Sequence, residues 1–123
     1  MSILDNPPHK VTIKRPRYER DQDGVGRMTT LVDVSTNVSS WIQNASSSEI
    51  LEYQKRDQRI SDRVSFFGTR PDIMIGDVIE VTAAVSHAGV GTHIGESYTV
   101  MAMPERTARY GLAWTAYCDR ERP

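Results

Sequence analysis

Hydrophobic and polar residues alternate along most of this chain, and the alternation predicts strands. In HKVTIKRPRY, Val11 and Ile13 fall on one face and Lys10, Thr12 and Lys14 on the other, the period-2 pattern of a half-buried strand. Pro16 has no amide hydrogen to give to a ladder and places the end of that strand at an edge. From Met28 to Gln43 the run is rich in β-branched residues, with Val32, Val34 and Val38 at even spacing. That is long for one strand, so a bulge or bend is expected. ISDRVSFFG alternates Val64 and Phe66 against Arg63 and Ser65 and reads as a central strand. In GDVIEVTAAV, Ile79 and Val81 oppose Val78 and Glu80, and SYTVMAMPE and YGLAWTAYC give two further strands.

The pattern breaks at three places. ERDQDGVGR is a polar turn in which Asp23-Gly24 and Gly26 can accept positive φ. ASSSEILEYQKRDQR changes to helical spacing: Ser46 stands three residues before Glu49 as a capping box, and Ile50, Leu51, Tyr53 and Ile60 can share a face. Glu52 precedes Lys55 and Arg56 by three and four positions, a spacing suited to ion pairs. SHAGVGTHIGE is glycine-rich and polar. These elements predict a mainly β fold, a small antiparallel β-barrel or sandwich of about five to seven strands with one short helix and long loops. At 123 residues the chain has room for one domain, residues 1–123, able to bury roughly two-thirds of its unfolded surface.

Composition narrows the functional classes. The net charge of -1 offers no overall positive field toward nucleic acid or an anionic membrane. Lysine is confined to Lys10, Lys14 and Lys55, so most cations are arginines, whose planar fork suits bidentate carboxylate pairing across interfaces. Cys118 is the sole cysteine, which rules out an internal disulfide and a cysteine metal cage and fits a reducing compartment. The N-terminal residues do not have the pattern of a secretory signal, and no stretch approaches the ~20 apolar residues of a membrane span.

Candidate chemistry is sparse. The glycines Gly89, Gly91 and Gly95 run into Glu96 and a strand, where a phosphate loop would need Gly-Lys-Ser/Thr opening a helix. His9, His87 and His93 lack the short spacing of a metal site, although His87 and His93 flank one loop and could approach each other. No G-x-S-x-G is present, and Cys118 in an aromatic-flanked strand reads as a buried small hydrophobe. No catalytic, cofactor or metal residue is therefore assigned, and an enzyme is not expected. Trp41, Trp114, Tyr98, Tyr110 and Tyr117 could form a stacking platform, which keeps a single-stranded nucleic-acid-binding barrel as the alternative. Core and interface filling is the simpler use of such rings.

The order of parts carries a resemblance. An N-terminal strand, the Arg20–Gly24 turn, a long strand ending near Trp41, the polar helix SSSEILEYQKRDQRI and Asp62–Phe67 come first. Gly76-Asp77 opening Val78–Val81, then SYTVMAMPER and YGLAWTAYCDRE, complete it. Over nearly its whole length this resembles the head-closure proteins of tailed bacteriophages, also called stopper, head-completion or head-tail joining proteins. It departs from shorter members of that family in its longer Gly89–Gly95 segment.

The resemblance implies a non-enzymatic virion protein made in the bacterial cytoplasm. It implies a homo-oligomeric ring, hexamer or dodecamer, between the portal-adaptor ring and the tail terminator or tail tube protein. Such a ring closes the channel on packaged double-stranded DNA without sequence specificity and docks the tail, with no membrane partner. Ring subunits use loops for contacts, so the expected interface or channel residues are Asp21, Asp23, Gly24, Gly26 and Arg27 in one loop and Gly89, Gly91, His93 and Gly95 in the other.

Overall fold

The computed structural model describes residues 7–20, 27–67, 70–84, 93–107 and 113–121. Six strands and one helix follow one another as β1 (His9–Arg20), β2 (Arg27–Asn44), α1 (Ser47–Gln54), β3 (Asp62–Phe67), β4 (Val78–Ala84), β5 (Ser97–Thr107) and β6 (Ala113–Arg120). All neighbours are antiparallel, in the order β1-β2-β3-β6-β5-β4, and β4 returns to β1 to close a barrel. The expected small β-barrel with one short helix is thus the fold.

Alternation decides what fills the barrel. Val11 and Ile13 on β1, Val64 and Phe66 on β3, and Ile79 and Val81 on β4 point inward and are buried. Tyr98, Val100, Ala116 and Cys118 meet them from β5 and β6. β3 alternates buried and half-buried residues along its whole length and lies between β2 and β6, as its sequence suggests. Each fully buried Val, Ile or Phe contributes about 1.5–3 kcal/mol of apolar transfer free energy.

The long β2 bends by bulging. Val11 pairs with Val38, Ile13 with Ser35 and Lys14 with Asp33, so β2 carries an extra residue at each of the two shifts. Asn37 takes φ 55° at the first, a left-handed conformation that Asn tolerates better than most side chains. The expected bulge is there, and because the two shifts cancel in parity, Val34 and Val38 both pack against the core. Pro16 does not end β1: the strand runs on to Arg20, with Pro16 opposite Leu31.

α1 closes one gap between strands. The Ser46 hydroxyl accepts from the Glu49 amide at 3.2 Å and the Glu49 carboxylate accepts from the Ser46 amide at 2.8 Å, the reciprocal capping box. The helix stops at Gln54, short of the full helical stretch in the sequence. Asp57 has φ 58°, and the Gln58 amide donates back to the Tyr53 carbonyl at 2.9 Å, which turns the chain off the helix axis. Only Tyr53 of the helix is buried; Leu51 faces solvent and Ile60 reaches the interior from beyond the helix.

Two substitutions test this account by urea unfolding. Phe66→Ala, which opens a cavity in the barrel, is expected to lose about 3–5 kcal/mol. Ser46→Ala, which removes the cap alone, is expected to lose about 1 kcal/mol.

Candidate functional site

The strands differ in length, and the excess has a direction. β4 accompanies β1 only from His9 to Lys14, and β3 accompanies β2 only from Ser40 to Asn44. From Arg15 to Arg20, β1 is paired with β2 alone, across Arg27 to Val32. At about 3.3 Å per residue this two-stranded arm extends about 20 Å past the barrel. It projects from the end where β1 leaves and β4 enters.

The base of the arm is clamped. Arg15 Nε donates to Asp77 Oδ1 at 3.1 Å and Arg15 Nη2 to Asp77 Oδ2 at 3.0 Å, a two-pronged contact, and Nη2 also reaches Asp72 Oδ1 at 3.1 Å. Asp77 is buried and accepts the Met74 amide at 2.8 Å as well. These hydrogen bonds to Asp77 and Asp72 raise the Arg15 guanidinium pKa further, so the cation is permanent. Gly76, at φ 94°, gives its amide to Val100 at 2.9 Å and allows the chain to turn into β4. Around this base lie exposed apolar residues: Leu31 and Val32 on the arm, 49% and 42% exposed, and Met74 and Ile75 on the segment before β4.

The opposite end of the barrel holds a polar network. His93, Glu96 and Tyr98 converge: Glu96 Oε2 lies 2.7 Å from His93 Nδ1 and accepts from the Tyr98 hydroxyl. Arg120 Nη2 reaches the buried carboxylate of Asp62 at 3.3 Å, and Ser61 donates to its other oxygen at 2.7 Å. Burial on its own would raise the Glu96 pKa, but the Tyr98 and His93 hydrogen bonds and the Arg120 charge outweigh it and hold the carboxyl low. Burial, reinforced by Glu96, raises the Tyr98 hydroxyl. His9 accepts the Ile42 amide at Nδ1, 3.2 Å away, and stacks edge-on against His93 at 5.4 Å between ring centres. The sequence suggested His87 as a neighbour of His93; His87 lies outside the described residues, and the histidine that meets His93 comes from the start of β1.

The two expected contact loops leave opposite ends of the barrel. Arg27 opens β2 at the far end of the arm, paired with Arg20, while Asp21, Asp23, Gly24 and Gly26 lie outside the described residues. Gly89 and Gly91 also lie outside them. His93 and Gly95 are described, and they form a hydrogen-bonded turn into β5, with the Glu96 amide on the His93 carbonyl at 3.0 Å and Gly95 at φ 85°.

Of the candidate stacking rings, Tyr110 lies outside the described residues, and Tyr98, Tyr117 and Trp114 are dispersed. Tyr98 is inside the barrel, Tyr117 packs 5.0 Å from Tyr53 under the helix, and Trp114 rests on the core with Arg70 5.6 Å from its ring centre. Among the described residues no group of three or more His, Cys, Asp or Glu side chains could hold a metal ion. Among them, too, no helix is long and apolar enough to cross a membrane.

No family model matches the chain, and no curated protein matches it. A solved structure does. It is the solution structure of protein SF1141 from Shigella flexneri 2a, a Northeast structural genomics consortium target. That protein is 20% identical and superposes with a TM-score of 0.64 over 91% of this chain and 90% of its own. At this identity the likeness is one of fold.

Three measurements follow. Asp77→Asn breaks the clamp, and because Arg15 can regain water the expected loss is about 2 kcal/mol, below the full cost of a broken buried pair, with faster amide exchange along the arm. Glu49, whose burial is outweighed by hydrogen bonds from Ser46 and Tyr117 and by Arg63, is held low as Glu96 is. Folded values below the ordinary 4.5 mean that the stability these two supply is complete above that pH and is lost as pH falls through the folded values. Thermal melts from pH 7 to pH 3 should show it, with a flatter acid limb for the Glu49→Gln/Glu96→Gln pair. Cys118 is fully buried and its thiol is pushed up by that burial, so a thiol reagent should label it only when the protein unfolds.

Proposed function

We propose that this chain is a structural, non-enzymatic subunit of a homo-oligomeric ring in the neck of a tailed-phage virion. In this reading the ring lies between the portal-adaptor ring and the tail, closes the channel on packaged DNA and presents a docking surface for the tail. The sequence resemblance motivates it, and the clamped arm is the observation that supports it best. A closed barrel satisfies its own backbone and has no need of a neighbour. Two strands carried about 20 Å past the barrel, with Leu31 and Val32 exposed, have little to contribute to a monomer. They suit a subunit that reaches other subunits.

The opposite placement of the arm and the β4–β5 turn fits the same role. A neck ring has a head-facing and a tail-facing side, and a subunit with distinct contact elements at its two ends can address both. Retention of DNA would be steric, since a strongly basic lumen would grip a genome that must slide through it. A stacking surface for single-stranded nucleic acid finds less support. Tyr98 is buried within the barrel, and Tyr117 and Trp114 pack against separate partners instead of forming a row.

Electron microscopy of particles assembled with this gene disabled tests the proposal. The expected result is separate heads and tails, with heads that lose their DNA. Normally joined, infectious particles would overturn it.

A further inference from the structure

The arm leaves two backbone edges open, and they differ. Along β2 the outer edge is unpaired by any described strand from Arg27 to Ser39. Along β1 the outer edge is unpaired by any described strand from Arg15 to Arg20. The side of β5 away from β6 also has no described strand beside it beyond Val100, but that stretch carries Pro104. Unpaired edges are templates for another strand, and proteins that must remain monomeric usually block them with lysine, proline or a cover. β2 carries no such block: MTTLVDVSTNV has neither Lys nor Pro, is rich in β-branched residues, and exposes Thr30, Leu31, Val32 and Asp33. β1 has Pro16 and a basic run, Arg15, Arg17 and Arg20.

We infer that the arm is the joining element between copies of this chain: the outer edge of β2 in one copy pairs antiparallel with the outer edge of β1 in the next. The partner strand is another copy's because the arm carries two open edges of its own, and pairing β2 with β1 covers both. Pairing β1 with β1 would set arginines against arginines, and like charges across a ladder repel. Pairing β2 with β2 would leave every β1 edge bare. Pairing β2 with β1 also matches charge. Asp33 lies beside Lys14 within its own hairpin, so arms held level put Asp33 of one copy across from Lys14 of the next, one position from Arg15.

β1 and β2 run in opposite directions, so the added contact continues the up-and-down order, and a row of arms forms one antiparallel sheet. The contact is heterologous, the kind that closes into a ring when the rotation between copies allows. The Arg15–Asp77 clamp fixes the angle at which each arm leaves its barrel, and hence that rotation. This inference rests on the ring reading only for closure; the pairing itself is a property of the isolated chain.

Mixing two single-cysteine variants of the full chain tests it. Thr30→Cys and Arg17→Cys are both exposed positions on opposite strands of the arm, and Cys118 is buried away from reagent. With a short bis-maleimide, the mixture should give a covalent dimer joining position 30 to position 17, and neither variant alone should. A dimer formed by Thr30→Cys alone would overturn the proposal in favour of β2–β2 pairing. Absence of the mixed dimer would overturn it too, whether light scattering then shows monomers or an assembly joined elsewhere.

Leu31→Lys/Val32→Lys, at two exposed positions, should raise the concentration for half-assembly at least tenfold while leaving the melting curve of the dilute protein unchanged. Unchanged assembly would count against the arm. The two readings fail separately. Cross-linked arms with normally joined particles would remove the neck role alone. Unlinked arms with separated heads and tails would remove this inference alone.

Discussion

Closure of the sheet between β1 and β4 is the constraint from which the rest of this structure follows. Once those strands pair, every inward side chain of six strands shares one interior, and the barrel satisfies its own backbone. Closure also sets a limit on useful strand length. β3 and β4 span only the barrel, whereas β1 and β2 are longer, and their surplus has nowhere to go except outward as a paired arm. The arm is thus the remainder left by strands of unequal length.

Buried charge marks the places where this geometry is fixed. Asp77 and Asp62 are almost fully buried, one near each end of the barrel, and each meets an arginine from a different element. A buried carboxylate is tolerated only when its oxygens are hydrogen-bonded, so each restricts its surroundings to one arrangement. Asp77 holds the turn before β4 to the base of the arm through Arg15 and the Met74 amide. Asp62 joins the start of β3 to the end of β6 through Ser61 and Arg120. The apolar core gives stability without direction, and these two carboxylates give direction at the ends.

This division suits the contact role proposed above. Cys118, Tyr98 and His9 are buried. What faces outward is an arm with apolar and basic positions at one end and a tight turn with a polar network at the other. A rigid barrel with contact elements at both ends can transmit position from one neighbour to another. The likeness of fold to a protein only 20% identical shows how loosely alternation and closure restrict residue identity.

Much of the fold was legible because alternation is a local signal. Val11 and Ile13, Val64 and Phe66, and Ile79 and Val81 each declare their inward face within a few residues, and Ser46 with Glu49 declares where the helix starts. The expectation of a bulge in β2 also came from the sequence, because the β-branched run from Met28 to Gln43 is long for one straight strand. Its contacts were not legible. Arg15 meets Asp77 across 62 positions and His9 meets His93 from the start of β1, and no spacing encodes such pairs. Pro16 read as an edge position near the end of the strand because its missing amide hydrogen is a local property, and the folded sheet places it opposite Leu31 with no described strand on its other side. Residue pattern determined which side of each strand faces the core. Only the closed barrel decided which strands run past it, since that depends on where their partners stop.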